Sequence, residues 1–323
     1  MPKYSSVIIG SGSYLPKHIL TNEELAKSVD TNDEWIVSRT GITQRHIVAE
    51  GQFTSDMAYE AAKSAILSAG IDANEIDMII VCTTTPDNTF PSVAVNVQTK
   101  LGLKNIPAFD LQAVCAGFIY GLATADSFIK TAGAKTILLI GADAMSKVVD
   151  WTDRGTCILF GDGAGAVILK AHDADKQQGI ISSSICADGA YESILVTNGG
   201  VSSTQTTGKA TMVGKEVFKH AVEKMSNSVT NLLDQTGYSK NDVNWLIPHQ
   251  ANLRILDAVA KRLDFPKEKV AMTLDKQANT SAATIPLALD HYVKAGIIKS
   301  GDLIMTTALG AGLTWGACLI RWK

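Results

Sequence analysis

The chain contains one pattern twice, as GIDANEIDMIIVC at residues 70–82 and as GYSKNDVNWLIPH at residues 237–249. Each copy has a glycine, five intervening residues and then an apolar run that is typical of a buried strand. The offset between the two copies is 167 residues, and the runs that begin at Ala134 and Gly301 keep the same offset. Internal similarity in one register indicates a repeated unit.

We therefore predict two duplicated halves, residues 1–170 and residues 171–323. Their joint would be the polar segment AHDADKQQG (171–179), which is typical of a charged turn rather than a flexible linker. The halves should then pack tightly against each other. The alternative is a chance similarity between generic strand–helix units.

Strand-like apolar runs alternate with helical patterns, such as the one over residues 55–70, along the whole chain. The runs are SSVIIGSG (5–12), DMIIVCTT (77–84), KTILLIGA (135–142), GAVILK (165–170), NWLIPH (244–249) and DLIMTTAL (302–309). This alternation predicts an α/β fold whose strands are buried and mainly parallel.

The composition indicates an oligomer and excludes several classes of partner. Charged residues are only 19% of the chain, which favours extensive burial or an oligomer over one large monomeric globule. The net charge of −3 argues against nucleic acid and anionic membranes as partners. No apolar run is long enough to span a membrane, and the first residues lack a signal-peptide layout, so we expect a cytoplasmic protein.

The five cysteines are odd in number and widely spaced, which predicts free thiols in a reducing compartment. No CxxC motif or His/Cys cluster suggests a metal site.

Cys115 lies near the start of the Ala- and Gly-rich stretch DLQAVCAGFIYGLATAD (110–126), which is typical of a buried helix. A thiol at a helix N-terminus feels the positive end of the helix dipole, so we expect the thiolate to be favoured. A thiolate accepts an acyl group by thioester exchange. The alternative is an inert cysteine that packs among alanines.

His249 follows the strand NWLI directly, at the carboxyl end where ligands gather in α/β sheets. A histidine there can donate to an oxyanion or transfer a proton, although it could also be satisfied within a turn. Asn279 opens another apolar helix, with Pro286 in its first turns. Its amide can donate to a developing negative charge, or its side chain can simply cap the helix.

Two glycine-rich strings follow strand-like or apolar stretches and need an interpretation. GDGAGA (161–166) does not match a phosphate loop, so we predict a tight turn with close backbone packing. GAGLTWG (310–316) is interpreted as backbone packed against a site.

The order Cys115, His249, Asn279 also matches papain-like proteases, but their local cysteine signature is absent.

Seven strings, in order and nearly end to end, resemble those of the β-ketoacyl-[acyl-carrier-protein] synthase III family, which starts type II fatty acid synthesis. They are TNDEWIVSRTGITQRHI (31–47), TPDNTFPS (85–92), DLQAVCAGFIY (110–120), TDRGTCILFGDGAGA (152–166), WLIPHQANLRI (245–255), ANTSAATIP (278–286) and GAGLTWG (310–316). The resemblance implies a thiolase-like fold in which two duplicated α/β halves form α-β-α-β-α layers.

The resemblance also implies the chemistry. Cys115 would be acylated by an acyl-CoA primer. His249 and Asn279 would bind the malonyl thioester carbonyl of malonyl-acyl carrier protein and stabilise the enolate formed on decarboxylation. The enolate would attack the acyl-Cys carbonyl, with backbone N–H groups, including that of Cys115, as the oxyanion hole. Coenzyme A is then a substrate and product, and no cofactor is expected.

Further binding residues follow from the same resemblance. Trp35 and Arg154 would sandwich the adenine of CoA, Arg39 would hold its phosphate end, and Thr31 and Asn252 would complete the CoA and pantetheine contacts. In a homodimer, Phe90 would reach the partner's acyl pocket, while Met212 and Phe218 would lie near the access tunnel. An acidic carrier protein needs a basic face on this chain, for which we expect Arg254, Lys219 and Lys261, with Lys215 nearby.

The chain departs from the family pattern beside the reactive residues. Ala278 stands where a Gly is usual, Val114 where an Ala is common, and Ala308-Leu309 where Gly-Phe is usual. These departures leave the size of the primer open. Three alternatives to the leading interpretation are a condensing enzyme with a longer acyl-CoA primer, a thiolase, and a non-catalytic acyl-binding protein. A thiolase is disfavoured because Ala308 stands where its second cysteine should be.

Overall fold

The computed structural model describes residues 4–173 and 178–323, which form two β-sheets and the helices that cover them. Residues 174–177, within the predicted joint, lie outside the described residues. The elements up to residue 173 are β1 (Tyr4–Tyr14), β2 (His18–Thr21), α1 (Asn22–Leu25), α2 (Asp33–Thr40), β3 (Gln44–Ile47), α3 (Thr54–Ala69), β4 (Met78–Cys82), α4 (Val93–Lys100), β5 (Ala108–Leu111), α5 (Gly117–Lys130), β6 (Thr136–Ala144) and β7 (Asp162–Asp173).

The second part contains the following strands and α-helices. They are β8 (Gly179–Ala187), β9 (Leu195–Thr197), β10 (Ala210–Met212), α6 (Gly214–Thr236), β11 (Trp245–Pro248), α7 (Leu253–Leu263), α8 (Leu274–Gln277), α9 (Thr284–Lys294), β12 (Leu303–Gly310) and β13 (Thr314–Arg321).

The two large sheets share one strand arrangement. The first has the order β1-β7-β6-β4-β5, and the second has the order β8-β13-β12-β11. Met78 of β4 lies opposite Ile137 of β6 in a parallel pair, and Trp245 of β11 lies opposite Ile304 of β12 in the same way. Both residues of the second pair follow those of the first by 167 positions. The division into two duplicated halves stays a prediction, and this shared register supports it.

The expectation of mainly parallel strands is wrong. Within the described ranges, β4 runs parallel to β5 and β6, and β11 runs parallel to β12, but the remaining sheet pairs are antiparallel. The reason lies in the connections, because only a short turn joins β12 to β13 and no helix crosses over between β6 and β7. A strand that returns without a crossover must run antiparallel to its predecessor. Residues 162–166 of GDGAGA belong to β7, so the predicted tight turn is wrong. The predicted close backbone packing is confirmed, because a Cβ added to Gly165 would lie 2.7 Å from the Leu287 nitrogen.

Five layers result, and the α-β-α-β-α prediction is confirmed. Helices α3 and α4 cover the outer face of the first sheet, and α6 covers the outer face of the second, with α7 packed against α6. Helices α5 and α9 lie between the sheets, where α5 contacts both β6 and β13. The buried apolar side chains of this central layer belong to one cluster with the inner faces of both sheets.

Each central helix is fixed to β1 by a buried carboxylate. Asp126 of α5 accepts a hydrogen bond from the Ser6 hydroxyl at 2.7 Å, and Asp290 of α9 accepts one from the Ser11 hydroxyl at 2.9 Å. Each aspartate also pairs with a lysine four residues further along its helix. A buried charge is tolerated only when paired and hydrogen-bonded, so these contacts fix the axial position of both helices. No helix in the described parts of the chain is long and apolar enough to cross a membrane.

Candidate active site

Cys115 lies in a 3-10 turn, Val114–Ala116, that runs directly into α5. The residue is 6% exposed, and it belongs to the loop that follows the carboxyl end of β5. A Cβ added to Gly310 would lie 2.8 Å from the Cys115 nitrogen. The second glycine string therefore packs against the site, as predicted, because a larger residue would push the cysteine turn away.

His249 follows β11, and its backbone N–H donates to the Thr307 carbonyl of β12 at 2.8 Å. The ring is buried, and its Nδ1 lies 2.7 Å from the hydroxyl oxygen of Thr284. The same hydroxyl lies 3.1 Å from the Ser281 carbonyl, to which it can donate. A hydroxyl has one proton to donate, so its rotation is coupled to the tautomer of His249. When Thr284 donates to Nδ1, the Nε2 atom carries the proton and acts as a donor.

Asn279 is held by the first half of the chain. Its backbone N–H donates to the Leu159 carbonyl at 3.0 Å, and its own carbonyl accepts from the Gly161 N–H at 3.1 Å. Its Oδ1 accepts from the Ser281 N–H at 2.9 Å, which leaves the side-chain NH₂ for a ligand. The alternative role as the N-cap of the helix is wrong, because α9 begins only at Thr284 after an intervening 3-10 turn.

Two cavities meet at Cys115. The first has a volume of about 510 Å³, and its walls include Cys115, His249 and Asn279. The second has a volume of about 360 Å³, and Cys115, Phe160 and Leu195 line both. The structure thus brings together the three residues that the sequence singled out, although 134 residues separate the cysteine from the histidine.

The backbone beside the reactive residues is strained. Val114 has φ of 48°, Ala278 has φ of 56° and Ser281 has φ of 53°. A β-branched residue rarely adopts a positive φ, and the conformation of Ala278, with ψ of −165°, is close to one used almost only by glycine. Such residues cost about 1–3 kcal/mol each and persist only where the surroundings hold them. Sharp turns thus present both Cys115 and Asn279 to the cavity.

Asp143, at the carboxyl end of β6, is a site residue that sequence reasoning missed. It is fully buried and accepts hydrogen bonds from the Thr84 N–H at 2.7 Å, the Thr85 hydroxyl at 3.0 Å and the Ala282 N–H at 3.1 Å. It therefore joins a loop of the first half to the turn that follows Asn279. An acidic residue directly after the apolar run KTILLIGA was the signal that could have revealed it.

Burial controls the protonation states of the site. Desolvation raises the pKa of the Cys115 thiol to about 12, with a smaller opposing effect from the nearby Ser281 hydroxyl and a further increase from Asp143. The expectation that the thiolate is favoured is therefore wrong, because desolvation outweighs the helix N-terminus. Burial also lowers the pKa of His249 to about 3, so its ring is neutral at physiological pH.

The residues expected to bind the CoA nucleotide cluster around Trp35. The guanidinium carbons of Arg39 and Arg154 lie 5.4 Å and 4.8 Å from the Trp35 ring centre, and Arg154 also donates to the Asp30 carbonyl. A 4.8 Å separation leaves no room for a base between Arg154 and the ring. The Thr31 hydroxyl oxygen is buried and has no hydrogen-bond partner among the described residues.

The other candidates divide between the first cavity and the surface. Asn252 caps α7 through its Oδ1. Asn252, Arg39, Met212, Phe218, Lys215 and Arg254 all line the first cavity. Lys219 and Lys261 are exposed on α6 and α7. Phe90 is 83% exposed and lines neither cavity of this chain. In the described ranges, no group of three or more His, Cys, Asp or Glu side chains could hold a metal ion.

Comparison with known proteins gives one consistent result. The family model "3-Oxoacyl-[acyl-carrier-protein (ACP)] synthase III" matches residues 109–189, and the model of its C-terminal part matches residues 233–322. The beta-ketoacyl-[acyl-carrier-protein] synthase III of Bradyrhizobium diazoefficiens is 52% identical over the full length of both chains. That of Rickettsia rickettsii is 56% identical over 98% of this chain and 99% of its own. The crystal structure of the Aquifex aeolicus 3-oxoacyl-[acyl-carrier-protein] synthase III superimposes with a TM-score of 0.93 at 47% identity, covering 98% of this chain and 100% of that one.

We expect the buried Cys115 thiol to be alkylated only through its small thiolate fraction. Because its pKa is about 12, the alkylation rate with iodoacetamide should rise about tenfold per pH unit from pH 7 to pH 10, without a plateau. Peptide mapping by mass spectrometry measures the modified fraction, and the exposed Cys186 monitors the reagent in the same sample. A plateau of the Cys115 rate below pH 9 would contradict the raised pKa.

Ala278→Gly should stabilise the protein by about 1 kcal/mol, since the strain it releases exceeds the added entropy of the unfolded chain. The free energy of unfolding from chemical denaturation is the measurement. Ala190→Gly is the matched control, because Ala190 is exposed and has no positive φ, and it should be neutral or slightly destabilising. An equal decrease in the free energy of unfolding in the two variants would show that Ala278 is not strained.

Proposed function

The chain belongs to the β-ketoacyl-[acyl-carrier-protein] synthase III family, and we propose that its own residues carry the initiating condensation of type II fatty acid synthesis as follows. The observation that supports the assignment of roles is the convergence of Cys115, His249 and Asn279, from three different elements, on one cavity. One residue is a nucleophile and the other two are neutral hydrogen-bond donors, which is the set that acyl transfer followed by enolate formation requires.

In the first step, the Cys115 sulfur attacks the thioester carbonyl of an acyl-CoA primer. The carbon–sulfur bond to coenzyme A breaks, the thiol proton leaves with coenzyme A, and the acyl group remains on Cys115. Since burial keeps this thiol protonated, proton removal must accompany the attack.

In the second step, malonyl-acyl carrier protein enters the first cavity. The bond between the malonyl carboxylate and its α-carbon breaks, carbon dioxide leaves, and the electron pair forms an enolate. His249, through Nε2–H, and Asn279, through its NH₂, donate to the enolate oxygen. The α-carbon then attacks the acyl-Cys carbonyl, and the Cys115 thiolate leaves, giving 3-oxoacyl-acyl carrier protein. Two donors in a desolvated site stabilise this charge more strongly than water would.

The first cavity suits the anionic arm of coenzyme A and of the carrier protein. Its lining carries Arg39, Lys215 and Arg254, and no acidic side chain among the described lining residues. Arg154 would have to leave the Trp35 ring for adenine to stack between them. We propose that coenzyme A is a substrate and product, that no cofactor takes part, and that the enzyme acts in the cytoplasm.

The two steps should separate by mutation. Cys115→Ser should lose primer loading and condensation yet keep measurable malonyl decarboxylation, since decarboxylation needs no sulfur nucleophile. His249→Ala and Asn279→Ala should still form the acyl-Cys adduct but lose about 10²–10³ in decarboxylation rate, the usual cost of one oxyanion donor. The assays are radiolabel retained on the protein from acyl-CoA and carbon dioxide released from malonyl-acyl carrier protein.

The double variant should cost less than the product of the single effects, because both donors act on one oxygen. If His249→Ala instead abolished acylation and spared decarboxylation, the histidine would be an essential base for the thiol. The roles proposed here would then be wrong.

We propose that the carrier protein docks on the basic side of α7. Arg254 and Lys261 are seven residues apart on this helix, and Arg254 also reaches the rim of the first cavity. Arg254→Glu should raise the KM for malonyl-acyl carrier protein at least about tenfold, and more than the KM for acyl-CoA. Lys299→Glu is the matched control. Lys299 precedes the amino end of β12, whereas His249 follows the carboxyl end of the parallel strand β11, so the two residues lie at opposite ends of the sheet's strands. Similar effects of both variants would remove α7 from the docking surface.

We also propose a homodimer. Its support is the large exposed side chain of Phe90 and the edge position of β5 in the first sheet, both of which a partner could cover. Sedimentation at low micromolar concentration should give about twice the chain mass of 34.3 kDa. A fully active monomer would exclude the dimer.

A further inference from the structure

One stretch of chain, residues 188–213, contributes to the walls of both cavities at Cys115, and we call it the wall segment. Leu195 lines both cavities, and Met212 lines the first. The segment has little regular structure, namely a 3-10 helix (Gly189–Ile194) and the three-residue strands β9 and β10. A displacement of the wall segment would therefore widen the path of water to the nucleophile from both cavities.

Few polar contacts hold the wall segment to the rest of the molecule. In the described ranges, every hydrogen bond of its side chains is made within the segment, and no salt bridge leaves it. Its backbone pairs with Leu313 through Asp188 at the start, and the Ala210 N–H donates to the Val148 carbonyl at 2.8 Å near the end. The part that carries Leu195 lies between these two attachments.

Tyr191, four residues before Leu195, makes a contact of another kind between the attachments. The ammonium nitrogen of Lys224, on α6, lies 5.2 Å from the centre of the Tyr191 ring and 3.9 Å from that of Trp315. The ring centres of His220 and Tyr191 are 4.3 Å apart. Among the described residues, no carboxylate forms a salt bridge with Lys224, so the two rings are the partners of its charge.

The Trp315 end of this contact leads to the cysteine turn. Trp315 belongs to β13, and the hydroxyl of its neighbour Thr314 donates to the Ala113 carbonyl at 2.9 Å, two residues before Cys115. Lys224 is half-buried, and the attraction between a cation and an aromatic ring strengthens as the cation loses water. Lys224 thus joins the wall segment to the strand that supports the nucleophile.

We propose that Lys224 is a positioning residue, which acts through Tyr191 to hold the wall segment against Cys115 and so keeps water from the acyl-Cys thioester. This inference rests on the proposed function, because it concerns the acyl group on Cys115. Without this protection, water adds to the acyl carbonyl and the carbon–sulfur bond breaks. A carboxylic acid leaves, and one proton of the water returns to the Cys115 sulfur. Exclusion of water protects reactive intermediates from this kind of loss.

The experiment measures how long the acyl group survives. The enzyme is acylated with acetyl-CoA or butyryl-CoA and desalted, and intact-protein mass spectrometry follows the decay of the adduct without malonyl-acyl carrier protein. Lys224→Met removes the charge but keeps an unbranched apolar side chain, and it should speed the decay about tenfold, the effect of losing one partly desolvated cation–π contact. Hydrogen exchange of residues 189–197 should accelerate by a similar factor.

Conservative variants separate the contact from mere bulk. Lys224→Arg keeps a cation that stacks on aromatic faces, and its adduct should decay within about twofold of the wild-type rate. Tyr191→Phe keeps the ring and should also resemble the wild type. Tyr191→Leu should match Lys224→Met, and it serves if the methionine variant does not fold. Lys63→Met is the matched control, because Lys63 lies 4.7 Å from the Tyr59 ring centre on α3, outside the lining of both cavities.

The outcomes distinguish this inference from the proposed function. Equal decay in the wild type, Lys224→Met and Tyr191→Leu would overturn the inference and leave the proposed function in place. The same acceleration in Lys63→Met would also overturn it, because the effect would then be a general loss of stability. Absence of an adduct on the wild-type enzyme with both primers would instead sink the proposed function and this inference with it.

Discussion

The site depends on the enclosure of two helices between two sheets. Because α5 and α9 are covered on both sides, their first turns can meet only in the centre of the molecule. There the backbone of Asn279 pairs with Leu159 and Gly161 of the first half, and Asp143 holds the Ala282 N–H. Cys115 and Asn279 therefore lie beside contacts that join residues before position 171 to residues after it. Loss of the packing between the halves would separate them, so the fold and the reaction share one set of contacts.

The same enclosure controls the chemistry through desolvation. Burial raises the pKa of the Cys115 thiol and lowers that of His249, so each residue is neutral in the resting site. A neutral imidazole is a suitable donor to a carbonyl oxygen, and a thiol that is mostly protonated reacts only slowly with stray electrophiles. In the proposed reaction, negative charge then develops on the enolate oxygen, where hydrogen-bond donors are already in place. The strained turns at Val114 and Ala278 contribute in another way, because they hold Cys115 and Asn279 in position before substrate binds.

The two cavities that meet at Cys115 differ in the charged side chains of their linings. The first is lined by cations and both oxyanion donors, and it suits an anionic thioester arm. Among the described residues that line the second, Glu192 is the single charged side chain. Cys115 lies where they meet, so a primer held on its sulfur presents the carbonyl carbon to an enolate formed in the other cavity.

The sequence alone determined the α/β class, and it predicted the duplication at an offset of 167 residues and the candidate residues Cys115, His249 and Asn279, because each depends on local periodicity or on the order of short motifs. It did not reveal the antiparallel strands, since strand direction follows from the presence or absence of a crossover. It also gave the wrong sign for the Cys115 pKa, because the helix N-terminus is local whereas desolvation is produced by the whole fold. Asp143, the Thr284 contact to His249 and the second cavity likewise needed the tertiary structure. Asp143 and the second cavity depend on contacts between residues before and after position 171, whereas His249 and Thr284 both lie in the later part of the chain and are brought together by its own fold.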